Sequence, residues 1–196
     1  MNARTRWVRI VIGLFAASAL ASACGGTDGG SDLCKGPKLL PDQSPIILGE
    51  MYPSKKGIAE NPGDNTRVPV ERTVLLESTC RKTVEISTSC LVGENDEGDN
   101  SSDAEFYTME GPTQNSVPSD AESAVRLTYE RKDPNNKDDI DNVALVVQSN
   151  AVNYPTMVIP FCARVVKEGT DRKAISCTTP VQAPPQGEKK TGICGS

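Results

Sequence analysis

Seven cysteines, two clusters of acidic residues and the absence of any histidine define the chemistry open to this 196-residue chain. Without an imidazole, Ser-His-Asp and Cys-His nucleophiles, His-ligated catalytic zinc and histidine pH switches are excluded. The cysteines stand at Cys24, Cys34, Cys80, Cys90, Cys162, Cys177 and Cys194, with no C-x-x-C among them, which argues against zinc or an iron–sulfur cluster. Oxygen ligands are offered by Glu94, Asp96, Glu97, Asp99, Asp103 and Glu105, and by Asp133, Asp138, Asp139 and Asp141. Calcium takes about six to eight oxygens from closely spaced carboxylates and carbonyls, but neither loop has EF-hand spacing, since Lys137 stands where an acceptor is needed. The expectation is solvated acidic loops and no metal. A glycosidase needs two carboxylates across a cleft, and these lie on polar loops in a chain that is 4% aromatic. No catalytic residue and no cofactor is expected.

Six cysteines remain once Cys24 is set apart, and an even number in an exported chain reads as three disulfides. The segment Val165 to Ile175 reads as a hairpin turning at Glu168-Gly169-Thr170-Asp171. If Lys167 faces Arg172, Cys162 falls opposite Cys177, close enough to bond. Cys80 with Cys90 is disfavoured, because a strand over residues 83–90 would hold its ends more than about 20 Å apart. The other links are then Cys34–Cys80 with Cys90–Cys194, or the crossed arrangement.

Residues 1–23 do not read as part of a fold. Arg4, Arg6 and Arg9 precede an apolar run, Ile10 to Leu20, that is too short to span a bilayer and has the form of a secretory signal. The small residues Ala21-Ser22-Ala23 before Cys24 resemble the lipobox of bacterial lipoproteins. The resemblance implies cleavage before Cys24, acylation of its thiol with palmitate-type chains, and an anchor in membrane lipid. Gly25 follows where an Asp would imply retention in the inner membrane, so the expected location is the outer membrane. The alternative is an ordinary Ala-x-Ala cleavage site, which would leave Cys24 unacylated and make the protein a soluble secreted binding protein or inhibitor. Residues 25–32 are Gly-rich and read as a tether. Loss of the leader leaves 18 Lys and Arg against 26 Asp and Glu, moving the net charge from −5 to −8 and removing Trp7, the single Trp. That balance argues against a nucleic-acid partner, and a stacked-Trp sugar face is excluded.

The rest of the chain must position whatever these residues do. Between residues 45 and 166 the apolar pattern has period two: Val84, Ile86; Val125, Leu127, Tyr129; Val143, Leu145, Val147; Met157, Ile159, Phe161. Each run reads as a half-buried strand of a two-layer antiparallel fold, with turn chemistry between. Seven strands are expected near 45–50, 67–78, 83–92, 105–110, 123–131, 140–149 and 156–166. The fold class is all-β, an immunoglobulin-like sandwich stapled by disulfides.

The succession Arg72–Ser78, Val84-Glu85-Ile86-Ser87, Val117–Glu122, Leu127-Thr128-Tyr129, Val143–Asn150 and Val158-Ile159-Pro160-Phe161 resembles the ASH (hydin-like, choice-of-anchor type) immunoglobulin-fold domains, relatives of the PapD and major-sperm-protein sandwiches. The Ser149-Asn150 pair closing an apolar strand before a Pro-containing turn is its best single marker. The resemblance implies a scaffold and no catalytic residues. The organisation expected is a signal over 1–23, a lipidated Cys and tether over 24–44, the sandwich over 45–166, and an extra hairpin strand with a Pro-rich tail over 167–196. The expected activity is that of a non-enzymatic binding or structural module of the cell envelope, its partner an envelope protein or polysaccharide.

Overall fold

In the computed structural model the described residues are 36–55, 66–94, 102–136, 139–188 and 194. They form nine strands: β1 Leu39–Pro41, β2 Ile46–Met51, β3 Val70–Ser78, β4 Val84–Gly93, β5 Tyr107–Glu110, β6 Ser116–Val117, β7 Glu122–Tyr129, β8 Asp141–Ser149 and β9 Thr156–Val165. A four-stranded sheet has the order β1-β3-β7-β5 and a five-stranded sheet the order β2-β9-β8-β4-β6. All neighbours are antiparallel except β2 and β9. The fold is an all-β sandwich, and among the described residues no helix is long and apolar enough to cross a membrane.

The period-two pattern fixes which face packs inward. Val74, Leu76, Val125, Leu127 and Tyr129 from one sheet meet Leu145, Val147, Met157, Ile159 and Phe161 from the other, all 1% exposed or less. Each such side chain contributes roughly 1.5–3 kcal/mol of burial. The seven strands expected from the pattern correspond to β2, β3, β4, β5, β7, β8 and β9. The two others, β1 and β6, are three and two residues long, too short to show a period. Since β1 begins at Leu39, the folded body takes in residues ahead of position 45.

Two expectations are corrected. Among the described residues no strand follows β9, and residues 171–180 carry no regular structure. The reason is that both flanks of the C-terminal half of β9 are occupied, by β8 through Asp141↔Ala163 and Asn142↔Cys162, and by β2 through Ile47↔Cys162 and Met51↔Val165. A hairpin partner has no edge to join. Secondly, β8 is not half buried. Residues 141–147 are buried on both faces, because chain beyond β9 lies over the side turned away from the core.

Side-chain amides close the strand edges that neighbours leave open. Asn153 accepts from Leu39 N (3.1 Å) and donates to Leu39 O (2.8 Å), replacing a neighbouring strand beside β1. Asn150, of the Ser149-Asn150 pair, accepts from Glu85 N at 2.9 Å and donates its own N–H to Glu85 O at 3.0 Å. Such caps blunt the edges that would template aggregation.

Candidate functional site

The two acidic clusters do not converge on a ligand site. Asp103 and Asp141 are buried, Glu105, Asp133 and Asp139 are exposed, and Asp96, Glu97, Asp99 and Asp138 lie outside the described residues. Among the described residues no group of three or more potential ligands is placed to hold a metal ion.

Asp141 instead organises a polar junction between the sheets. It opens β8, where Oδ2 accepts from the Tyr129 hydroxyl at 2.5 Å, and Oδ1 accepts from Asn135 Nδ2 at 2.9 Å and from Arg131 Nη1. The Tyr107 hydroxyl donates to the Asp141 carbonyl at 3.0 Å, and the Tyr107 and Tyr129 rings lie 4.8 Å apart. Asp103 Oδ2 accepts from Asn142 N at 2.7 Å. Arg131 also sits over the Phe106 ring, 4.2 Å from its centre. Burial pushes the Asp141 carboxyl above its ordinary value of 3.8, outweighing the donors that favour the anion. Burial, and then the facing Asp141, push both tyrosines well above 10, so their hydroxyls are fixed donors. A cavity of about 410 Å³ lined by Glu105, Phe106, Glu130, Arg131, Lys132 and Asp133 lies beside the junction. Both carboxylate oxygens of Asp141 are already engaged by protein donors, which makes the group a structural hub.

A second polar corner holds the turn after β9. Glu50, 5% exposed, accepts from Arg164 Nη1 at 3.1 Å and from the Lys173 N–H. Arg67 grips Glu168 with both Nη atoms, at 2.7 and 2.6 Å, and the Tyr52 hydroxyl donates to Thr170 O at 2.8 Å. The Arg67 hydrogen bonds draw the Glu168 carboxyl below its usual range.

The cysteines build the most distinctive surface. Cys162 is joined to Cys177 and Cys90 to Cys194, and the second bond excludes the crossed arrangement. Cys80 is disulfide-bonded too, its partner lying outside the described residues, as do Cys34 and Cys24. On the face of the five-stranded sheet turned away from the core, register aligns three rows: Ile47–Cys162–Asn142, Pro160–Ala144–Val92 and Val158–Val146–Cys90. The chain after Cys177 runs across them as a strap. It begins at the first row, where Cys177 bonds Cys162 and Thr178 N donates to Asn142 Oδ1 at 3.1 Å. At the third row Gln186 Oε1 accepts from Val158 N at 2.6 Å, Gly187 N donates to Thr156 O at 2.8 Å, and Cys194 bonds Cys90. Ala144, Val146 and Cys162 beneath are 0% exposed, as expected of a sheet covered on both sides.

The strap is packed down at Pro180 and Pro184, both buried. A groove of about 430 Å³ runs between strap and sheet, lined by Ser44, Val158, Pro160, Thr179, Ala183 and the Pro184-Pro185-Gln186 run. Sequence reasoning did not find this surface or the roles of Glu50 and Asn142. A signal existed in the continuous Val143-Ala144-Leu145-Val146-Val147 run, which is apolar on both faces where a solvent-facing strand would alternate.

No family model and no curated protein sequence matches the chain. Among solved structures, it is similar to the ASH/PapD-like domain 7 of human CEP192, with a TM-score of 0.45 and 11% identity over 66% of this chain and 86% of that one. It is also similar to the Pseudomonas aeruginosa CupB2 chaperone, with a TM-score of 0.37 and 12% identity over 67% of this chain and 57% of that one. The secreted serine protease VesC of Vibrio cholerae is matched at a TM-score of 0.42 and 8% identity, over 65% of this chain and 23% of the protease.

Proposed function

We propose that this chain is a non-enzymatic binding or structural module of the cell envelope, tethered to the outer membrane through an acylated Cys24. The observation that carries the reading is the use made of its reactive groups: disulfides staple the sandwich, and its buried carboxylates, Glu50, Asp103 and Asp141, all accept hydrogen bonds from the protein's own donors. Disulfides of this kind persist in oxidising compartments, which agrees with export directed by residues 1–23. Contact with an envelope protein or polysaccharide would fall to the interstrand loops and the strapped sheet face.

Metabolic labelling with a radioactive fatty acid tests the anchor. The expected result is label on the wild-type chain, none on Cys24→Ser, and detergent-phase partitioning of the wild type alone. Unlabelled wild type recovered from the medium would establish the secreted form instead.

A further inference from the structure

Building on the envelope-module reading, we infer that a cavity at the end of β9 binds the carboxylate-bearing ring of an acidic sugar. The cavity, of about 420 Å³, lies between the β7–β8 loop and the turn after β9, and is lined by Pro134, Asn136, Arg164, Val166, Lys167 and Thr170. That is within the size range of small-ligand sites. None of the described residues along it is acidic, in a chain that carries 26 Asp and Glu against 21 Lys and Arg. The polar groups it offers are a guanidinium, an ammonium, an amide and a hydroxyl, all of them donors.

Both walls are fixed by contacts the protein makes with itself. Asn135 ties the loop to the end of β9, its Oδ1 accepting from Val165 N at 2.8 Å and its own N–H donating to Val165 O at 2.9 Å. The turn is held by Thr170 N donating to Lys167 O at 3.0 Å, by the Tyr52 hydroxyl on Thr170 O, and by the grip of Arg67 on Glu168. A preformed wall lowers the ordering cost of binding. The donors between the walls are underused. Glu50 accepts from Arg164 Nη1 at 3.1 Å, but Arg164 Nε has no acceptor in the protein. The side chains of Asn136, Lys167 and Thr170, all exposed, make no hydrogen bond or ion pair among the described residues. Of the acids close by in sequence, Glu168 is neutralised by Arg67, and Asp139 and Asp171 do not line the cavity.

A carboxylate supplies the acceptor that Lys167 and Arg164 lack, and ring hydroxyls match the Asn136 amide and the Thr170 hydroxyl, which both donate and accept. Pro134 and Val166 add apolar wall for the ring's C–H groups. With no aromatic residue among the described lining, recognition rests on charge and hydrogen bonding and not on ring stacking.

The test titrates the exported chain carrying Cys24→Ser, which needs no acyl anchor, with trigalacturonate, with its methyl ester and with inorganic phosphate at low ionic strength, following amide chemical shifts. The acid should give saturable shifts at Asn136, Lys167 and Thr170, and the ester, whose rings are the same but uncharged, none. Lys167→Gln should weaken binding about tenfold, the worth of one charge-assisted contact, and Asn136→Asp should abolish it, with the remaining amide spectrum unchanged in both. Shifts that the ester reproduces, that Lys167→Gln leaves at full affinity, or that phosphate elicits as tightly would overturn the inference, as would their absence with the acid. Absence of binding alongside fatty-acid label on the wild type removes this ligand and leaves the anchored module standing; saturable binding with an unlabelled wild type removes the anchor alone.

Discussion

The hydroxyl of Tyr129, the last residue of β7 in the four-stranded sheet, donates a 2.5 Å hydrogen bond to Oδ2 of Asp141, the first residue of β8 in the five-stranded sheet. The pair ties the two layers at the end of the sandwich where the β7–β8 loop returns. Arg131 and Asn135 of that loop supply the donors for the other oxygen. The Asp141 carboxylate thereby sets the loop and Tyr129, while its backbone carbonyl holds Tyr107 at the start of β8.

Asp141→Ala should destabilise the protein by about 3 kcal/mol, because it leaves the part-buried Arg131 and the buried Tyr129 hydroxyl without their acceptor. Tyr129→Phe should cost about 1–3 kcal/mol, the penalty of one unsatisfied buried partner. Urea unfolding midpoints at neutral pH measure both. Equal, negligible shifts would deny the junction any structural role.

The pH dependence of the same group has a definite sign. The folded protein holds the Asp141 proton more tightly than the unfolded chain, whose carboxyl titrates near 3.8. The proton-linked part of its stabilisation, separate from the hydrogen bonds lost in Asp141→Ala, is complete below that value and lost as pH rises through the elevated folded value. The advantage of wild type over Asp141→Asn should therefore shrink as pH increases across that window. Glu168, drawn down by Arg67, acts oppositely: its contribution is present above the ordinary carboxylate range and fades in acid. Melting temperatures of Glu168→Gln against wild type should show this small effect diminishing with salt.

Removing the disulfides should separate them by loop length. Cys162–Cys177 closes a separation of 15 residues and Cys90–Cys194 one of 104. Chain entropy then assigns about 3 kcal/mol to the first and nearly 5, roughly, to the second. Paired Cys→Ala variants compared by denaturant unfolding check the order. A larger loss from the shorter loop would show that local packing at Cys162, and not the unfolded chain, sets the cost.

Gly93→Ala should be destabilising by about 1–3 kcal/mol through overpacking. An added Cβ at this position in β4 would stand 2.3 Å from Ser102 Oγ and 2.4 Å from the backbone nitrogen of Ala104. The backbone of the short 3-10 turn Asp103–Phe106 would have to move. Since Asp103 accepts from Asn142 N there, amide exchange at Asn142 should rise in the variant.

The strands were legible because a sheet with one buried face writes its period into the sequence. Val125, Leu127 and Tyr129 could be placed inward without coordinates, and so could Met157, Ile159 and Phe161. The link between Cys162 and Cys177 was anticipated from a hairpin that does not form. In the fold the bond leaves the face of a strand whose flanks are both paired, at a Cα separation of 5.1 Å. Asp141 could be seen only as one acid among several, because what distinguishes it is Tyr129 and Tyr107 arriving from the opposite sheet.

By itself, then, the sequence determined the all-β class, seven of the strands and the exclusion of imidazole chemistry, all of which follow from local periodicity and composition. Tertiary structure alone decided that β9 lies between β2 and β8, that the Pro-rich segment returns across the sheet as a strap, and that Gln186, Asn150 and Asn153 seal strand edges. Those relations join residues from about 30 to more than 100 positions apart, a range over which register and strand order, not sequence spacing, bring groups into contact.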